Sequence, residues 1–276
     1  MPKFAANLAM LFTELPFPER FAAAAAAGFE GVEIPFPYAW EAPRLAALLD
    51  VNRLSLVQQT LPAGDWQAGD RGIACDPGRV AEFRAGVARA ITYAIALGHP
   101  RLTCLAGIPP RGVFADQARR TLIANLRFAA AELHEAGLEL LLQPLNTQDL
   151  PGFLVGSTQQ AIAIMDAVAA ANLRLQLDVS HSRRMGESLM RAVEWRLERI
   201  GHLQVTHGPA RHVPGADGIN HPYLFRRLDE LGYGGWVGCA QAPEDATGAE
   251  VAWLPPGRRG QASPSPREQA EKGLGA

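Results

Sequence analysis

The sequence predicts an α/β chain folded as a (β/α)8 TIM barrel. Three observations carry that prediction: short β-like runs recur along the chain, helix-period segments separate them, and the length fits eight such units. The chain has 276 residues, and eight strand–helix units in about 250 residues is barrel arithmetic. An open doubly wound sheet is the competing class, but it normally carries a glycine-rich phosphate loop after its first strand. Here that stretch reads AMLFTELPFPER and holds no glycine.

The elements follow in order. Strands are expected at 3–8 (KFAANL), 31–34 (GVEI), 54–59 (LSLVQQ), 101–105 (RLTCL), 138–143 (LELLLQ), 173–178 (LRLQLD), 202–206 (HLQVT) and 235–240 (GWVGCA). Helices are expected at 17–27, 41–50, 79–97, 115–136, 158–171, 187–200 and 221–231, with a weak eighth at 244–254. In 115–136, Ala118, Leu122, Leu126, Ala129 and Leu133 recur at three- and four-residue spacing, one apolar stripe of an amphipathic helix. The loop 60–78 is long for a compact domain, and long loops are usually functional lids. The barrel is expected over 1–255 as a single domain, and 256–276, rich in Pro, Gly, Ser and charge, reads as a flexible tail.

Composition narrows the function classes. The chain is 48% hydrophobic with a net charge of −2, so a sizeable core is available and no basic face invites nucleic acid or a membrane surface. No run is long enough to span a bilayer, and the start lacks a basic region followed by an apolar stretch. The three cysteines, Cys75, Cys104 and Cys239, are far apart, which suits free thiols in a reducing compartment. The expectation is a soluble cytoplasmic protein with a small-molecule partner. A homo-oligomer stays open.

In such barrels the chemistry gathers at the C-terminal ends of the strands. Those ends read Asn7, Glu33, Gln59, Thr103, Gln143, Asp178, Gln204 and Ala240, with His181 and His202 close by. Polar groups ending apolar strands are costly in a core and natural at a mouth. Each also has a plain structural reading. Asp178 suits a helix N-cap, Gln204 a loop hydrogen bond, His181 a turn cap and His202 a satisfied core histidine. Glu33 suits an ion pair with an arginine such as Arg71, and Cys104 and Cys239 suit packing. Beyond the seventh strand, His207, Arg211 and His212 add polar candidates.

The motifs NLAMLFTE (7–14), LPAGDW (61–66), RGIAC and PGR (71–75, 77–79), NTQDLPGF (146–153), GHLQV (201–205), GIN (218–220) and GWVGC (235–239) together resemble the hydroxypyruvate isomerase family of xylose-isomerase-like barrels. The resemblance runs from about residue 3 to 255. It implies an aldose–ketose isomerase that interconverts hydroxypyruvate and tartronate semialdehyde. A divalent metal, Mg or Mn, would hold the substrate oxygens while a proton moves between adjacent carbons. It also implies glutamates ending strands five and eight that bind metal and move the proton. An aspartate from strand six and a glutamine or histidine from strand seven complete the set.

The carry-over is incomplete. Asp178 and Gln204 match two metal ligands, but Gln143 and Ala240 stand where the family has its two glutamates. Ile108 replaces a lysine, Thr60 an asparagine, and Val213 the glutamate of an REPG-like loop. An amide is no base, and hard cations want anionic oxygen. The metal is therefore expected to be weakly held or absent, at Asp178 and Gln204, with Gln143 as a possible third donor. Glu33 is the surviving carboxylate best suited to act as base. Asn7, Asn146, His181, Arg211 and Trp66 are the expected substrate-binding residues. The resemblance implies an isomerase with impaired or altered chemistry, and a non-catalytic small-molecule binder is the alternative.

Overall fold

A computed structural model describes residues 2–205 and 219–240. Eight parallel strands close into a barrel in the order β1 to β8. They are β1 (Lys3–Asn7), β2 (Gly31–Glu33), β3 (Ser55–Thr60), β4 (Arg101–Leu105), β5 (Glu139–Gln143), β6 (Leu173–Asp178), β7 (Ile200–Val205) and β8 (Trp236–Cys239). Between them run α1 (Glu19–Ala26), α2 (Ala42–Asn52), α3 (Val80–Leu97), α4 (Ala115–Glu135), α5 (Thr158–Val168), α6 (Val179–Arg184), α7 (Leu189–Arg196) and α8 (His221–Glu230). The expected helix at 244–254 and the tail 256–276 lie outside the described residues.

The residues group into two compact units. One holds the chain to Gln58, Ile95–His99 and the chain from Val205 on. The other holds Gln59–Ala94 and Pro100–Gln204. In the first, β1 sits between β2 and β8, with Asn7 opposite Glu33 and Ala5 opposite both Gly31 and Gly238. Phe4 and Phe225 meet edge to face at 5.0 Å between ring centres, fixing α8 against β1. In the second, Leu105 pairs with Gln143 across β4 and β5, and Asp178 with Gln204 across β6 and β7.

Helix α4 follows its apolar stripe. Ala118, Leu122, Leu126, Ala129 and Leu133 are all fully buried, and each such leucine contributes about 1.5–3 kcal/mol of transfer free energy. Asn125 shares that face because its Nδ2 donates to the Ala74 carbonyl at 2.9 Å. Two expectations are corrected. The helix over 187–200 is shorter: α7 ends at Arg196, one 3-10 turn spans Leu197–Arg199, and Ile200 already pairs with Leu175. The helix over 158–171 ends at Val168, where Ala169 turns left-handed with φ 57°. Helix α6, six residues long, is not among the expected helical stretches, but it starts at Asp178, whose N-cap reading it bears out.

Candidate active site

The polar strand ends of the second unit form a ladder of amides. Gln176 and Asp178 lie two residues apart on β6, so they share a face. Gln204 lies opposite Asp178 in the register. The Gln204 Oε1 accepts from Gln176 Nε2 at 2.7 Å and from Gln143 Nε2 at 3.1 Å. The Thr103 hydroxyl donates to Gln176 Oε1. Thr103, Gln176 and Gln204 are buried and Gln143 is half-buried. Burying an amide without partners costs about 1–3 kcal/mol, which the ladder avoids. A carbonyl oxygen has two lone pairs, and both on Gln204 are now committed to protein donors.

Asp178 caps α6: its Oδ1 accepts the backbone N–H of Ser180 at 2.9 Å and of His181 at 3.0 Å. The structural reading of this residue is thus realised. The divalent metal implied by the resemblance needs anionic oxygens, and the residues present do not fit it. Gln204 has its oxygen bonded by two amides, one of them Gln143, and among the described strand ends beside them Asp178 adds one carboxylate, with one oxygen used as a cap. Among the described residues, no group of three or more His, Cys, Asp or Glu side chains is placed to hold an ion.

Next to the ladder, the loop after β5 clamps α6. The Asn146 backbone N–H donates to His181 Nδ1 at 3.1 Å, so that nitrogen is an acceptor and the ring proton belongs on Nε2. Asn146 also bonds Asp149 both ways, through Nδ2 at 3.0 Å and Oδ1 at 2.8 Å. Gln148 Nε2 donates to the Arg184 carbonyl at 2.8 Å, and Asp149 pairs with Arg184. Further along, Glu187 accepts from the Thr158 N–H at 2.9 Å, the Thr158 hydroxyl at 2.7 Å and the Ser182 hydroxyl at 2.7 Å. Asn146 and His181, both expected, are brought together. Asp149, Arg184 and Glu187 were missed; of these only Asp149, inside NTQDLPGF, carried a motif signal.

In the first unit, Glu33 is fully buried, and its Oε2 accepts from Asn7 Nδ2 at 3.0 Å. A Cβ at Gly238 would fall 1.8 Å from Glu33 Oε1, so the carboxylate occupies the space a side chain there would need. The expected pairing of Glu33 with Arg71 is replaced: Asn7 partners Glu33, and Arg71 stacks on Trp66. Ala240 brings only a methyl group, and its N–H donates to the Val205 carbonyl at 2.9 Å. Cys239 and Cys104 are buried, and burial pushes both thiols up, Cys239 also through the nearby Glu33 charge. Cys75 is pushed up to about 12, chiefly by burial. None is an activated nucleophile, in keeping with the packing reading.

The loop after β3 is strapped down along both flanks. Leu61 N–H donates to the Thr103 carbonyl at 2.8 Å and Cys75 N–H to the Ala106 carbonyl at 2.9 Å. A Cβ on Gly72 would meet the Leu105 carbonyl oxygen at 2.4 Å, and one on Gly107 would meet the Gly72 oxygen at 2.2 Å. Both have positive φ, so glycine is required twice over. The expected lid is therefore confined to a tip. There Asp65 Oδ1 accepts from the N–H of Gln67 and Ala68, both at 3.0 Å, and Trp66 stands 43% exposed. The candidates His207, Arg211, His212 and Val213 lie outside the described residues.

The model of the xylose isomerase-like TIM barrel family matches residues 21–256. A relative named hydroxypyruvate isomerase, from Escherichia coli, is 46% identical over 94% of this chain and 100% of its own. A 2-oxo-tetronate isomerase from Cupriavidus necator is 41% identical over 93% of this chain and 98% of its own. The solved structure of a Brucella melitensis protein titled AP endonuclease, family 2, superposes with a TM-score of 0.87 at 40% identity, covering 92% of this chain and 98% of that one.

Proposed function

The chain belongs to the xylose isomerase-like TIM barrel family, and from that premise we propose that it binds small hydroxy-oxo acids of the hydroxypyruvate type, with the parent aldose–ketose interconversion impaired. Kinship to isomerases supports the substrate class. The single observation that carries the impairment is the pair of amide bonds into Gln204 Oε1, from Gln143 and Gln176. Where the resemblance calls for a glutamate to take a C–H proton, an amide is present, and an amide has no basicity to offer near neutral pH.

On this reading Gln143, Asn146, His181 and Trp66 contact the ligand, with Asn7 and Arg211 as further binding residues. Glu33, bonded by Asn7, is the carboxylate best suited to proton transfer, with Asp178 next. Asp178 and Gln204 serve as cap and amide rung. Loss of one general acid or base costs a factor of about 10²–10⁴ in rate. The reading extends to a cytoplasmic setting, supported by three unpaired thiols and by the lack, among the described residues, of a helix long and apolar enough to cross a membrane.

The test supplies hydroxypyruvate with Mg²⁺ or Mn²⁺ and follows tartronate semialdehyde, beside the E. coli relative under the same conditions. The expected rate is at least a hundredfold below that relative; an equal rate overturns the impairment. A second reading, a binder without turnover, is favoured by the same amide ladder. Thermal stabilisation by sugar acids with no turnover of any of them selects it.

A further inference from the structure

We propose that Arg71 reads the carboxylate of the hydroxy-oxo acid and so sets a preference for acids over neutral hydroxy-ketones. The inference rests on the functional reading above and deepens it. Arg71 is half-buried on the loop after β3. Its guanidinium carbon lies 4.3 Å from the centre of the Trp66 ring, and its Nη1 donates to the carbonyls of Trp66 at 3.0 Å and Asp70 at 2.7 Å. These contacts fix the plane of the fork while engaging one of its three nitrogens. No carboxylate among the described residues pairs with Arg71. Its neighbour Arg79, by contrast, is held by Asp70 and Glu82, both at 2.7 Å. The loop thus carries one arginine neutralised in place and one whose charge is left for something else.

Arg71 adjoins in sequence a backbone contact with β4, the neighbour of β5. It immediately precedes Gly72, whose backbone rests on the Leu105 carbonyl. Leu105 pairs in register with Gln143. A planar guanidinium pre-oriented by stacking matches a carboxylate through two parallel N–H···O bonds and loses little entropy on binding. A lysine there would offer a hydrated point charge without that geometry. The competing role is that of a staple: Arg71 merely holds the tip together through the two carbonyls it already bonds. The two roles differ in one respect, since a staple supports every ligand alike whereas a reader supports only the charged one.

The experiment measures binding of hydroxypyruvate and of dihydroxyacetone, which carries a hydroxymethyl group in place of the carboxylate. Calorimetry on the full chain compares wild type, Arg71→Met and Arg71→Lys, with melting temperatures taken alongside. The wild type is expected to prefer the acid by tenfold or more. R71M should weaken the acid about ten- to hundredfold, the usual worth of a charged hydrogen-bonded contact, and leave dihydroxyacetone within twofold. R71K should recover only part of the preference. Equal weakening of both ligands, or an unchanged preference in R71M, overturns the assignment while leaving the functional reading standing. Failure of the wild type to bind either compound overturns both. Should R71M not fold, Trp66→Leu keeps the charge and removes its platform: a threefold or greater loss of preference supports the proposal, and none refutes it.

Discussion

Replacing Gln143 by glutamate should destabilise the protein at neutral pH and do so less as the pH falls. Gln143 Nε2 now donates to Gln204 Oε1 across 3.1 Å, and that oxygen also takes Gln176 Nε2 at 2.7 Å. The substitution removes the first donor and sets an anionic oxygen against a carbonyl oxygen. Turning the Gln204 amide over to help would force Gln176 to turn as well, with the Thr103 hydroxyl switching from donor to acceptor. The lost bond is worth about 0.5–1.5 kcal/mol. With a half-buried, unpaired charge added, the total should reach about 1–3 kcal/mol, or a melting point about 2–10 °C lower for a domain of this size. Protonated, the introduced carboxyl regains a donor, so its folded pKa lies above the unfolded value of about 4.3. A raised carboxyl pKa leaves stability intact below the unfolded pKa and removes it as pH rises through the folded one. Thermal melts of Q143E and wild type from pH 4.5 to 8 should therefore diverge as pH rises. Curves that run parallel with no offset would refute the claim that the Gln204 oxygen is saturated by amide donors.

The remaining predictions concern the strand interior and the thiols. Gly238→Ala puts a methyl 1.8 Å from Glu33 Oε1, so the buried carboxylate must swing aside and disturb its bond from Asn7, and the change should cost about 1–3 kcal/mol; soluble yield and a urea midpoint decide it. Cys75, Cys104 and Cys239 should resist a thiol reagent at pH 8 in the folded protein and react fully in guanidinium, since burial raises all three. The unfolded thiols ionise near about 8.5 and the folded Cys75 at about 12, so unfolding releases protons and stability should fall as pH climbs through that window. Prompt labelling of the native chain at pH 8 would contradict the burial.

Much of this architecture can be read from pattern, and the reasons are physical. Alternation on β6 puts Gln176 and Asp178 on one face, and the spacing of Leu122, Leu126 and Leu133 on α4 marks a buried stripe, because both signals are local and periodic. Helix α6 escapes the same reading: VSHSRR has no apolar period, and the helix begins because the Asp178 carboxylate caps two backbone amides. The ladder escapes in part. Gln143, Gln176 and Gln204 stand out singly, but which oxygen receives which N–H depends on register between β5, β6 and β7. The contact between Gly72 and Gly107 is invisible, because it joins two backbones 35 positions apart and leaves no side chain to notice.

That contact has a corollary for chain continuity. Leu61 is tied to Thr103 on one flank of the loop, and Gly72 and Cys75 to Leu105 and Ala106 on the other. A protease cut near the exposed Gln67 would sever the peptide between two anchorages and free neither. The nicked halves should migrate together in a native gel and part only in detergent. A chain split by design at this point could then be supplied as two pieces and reassembled without a tether.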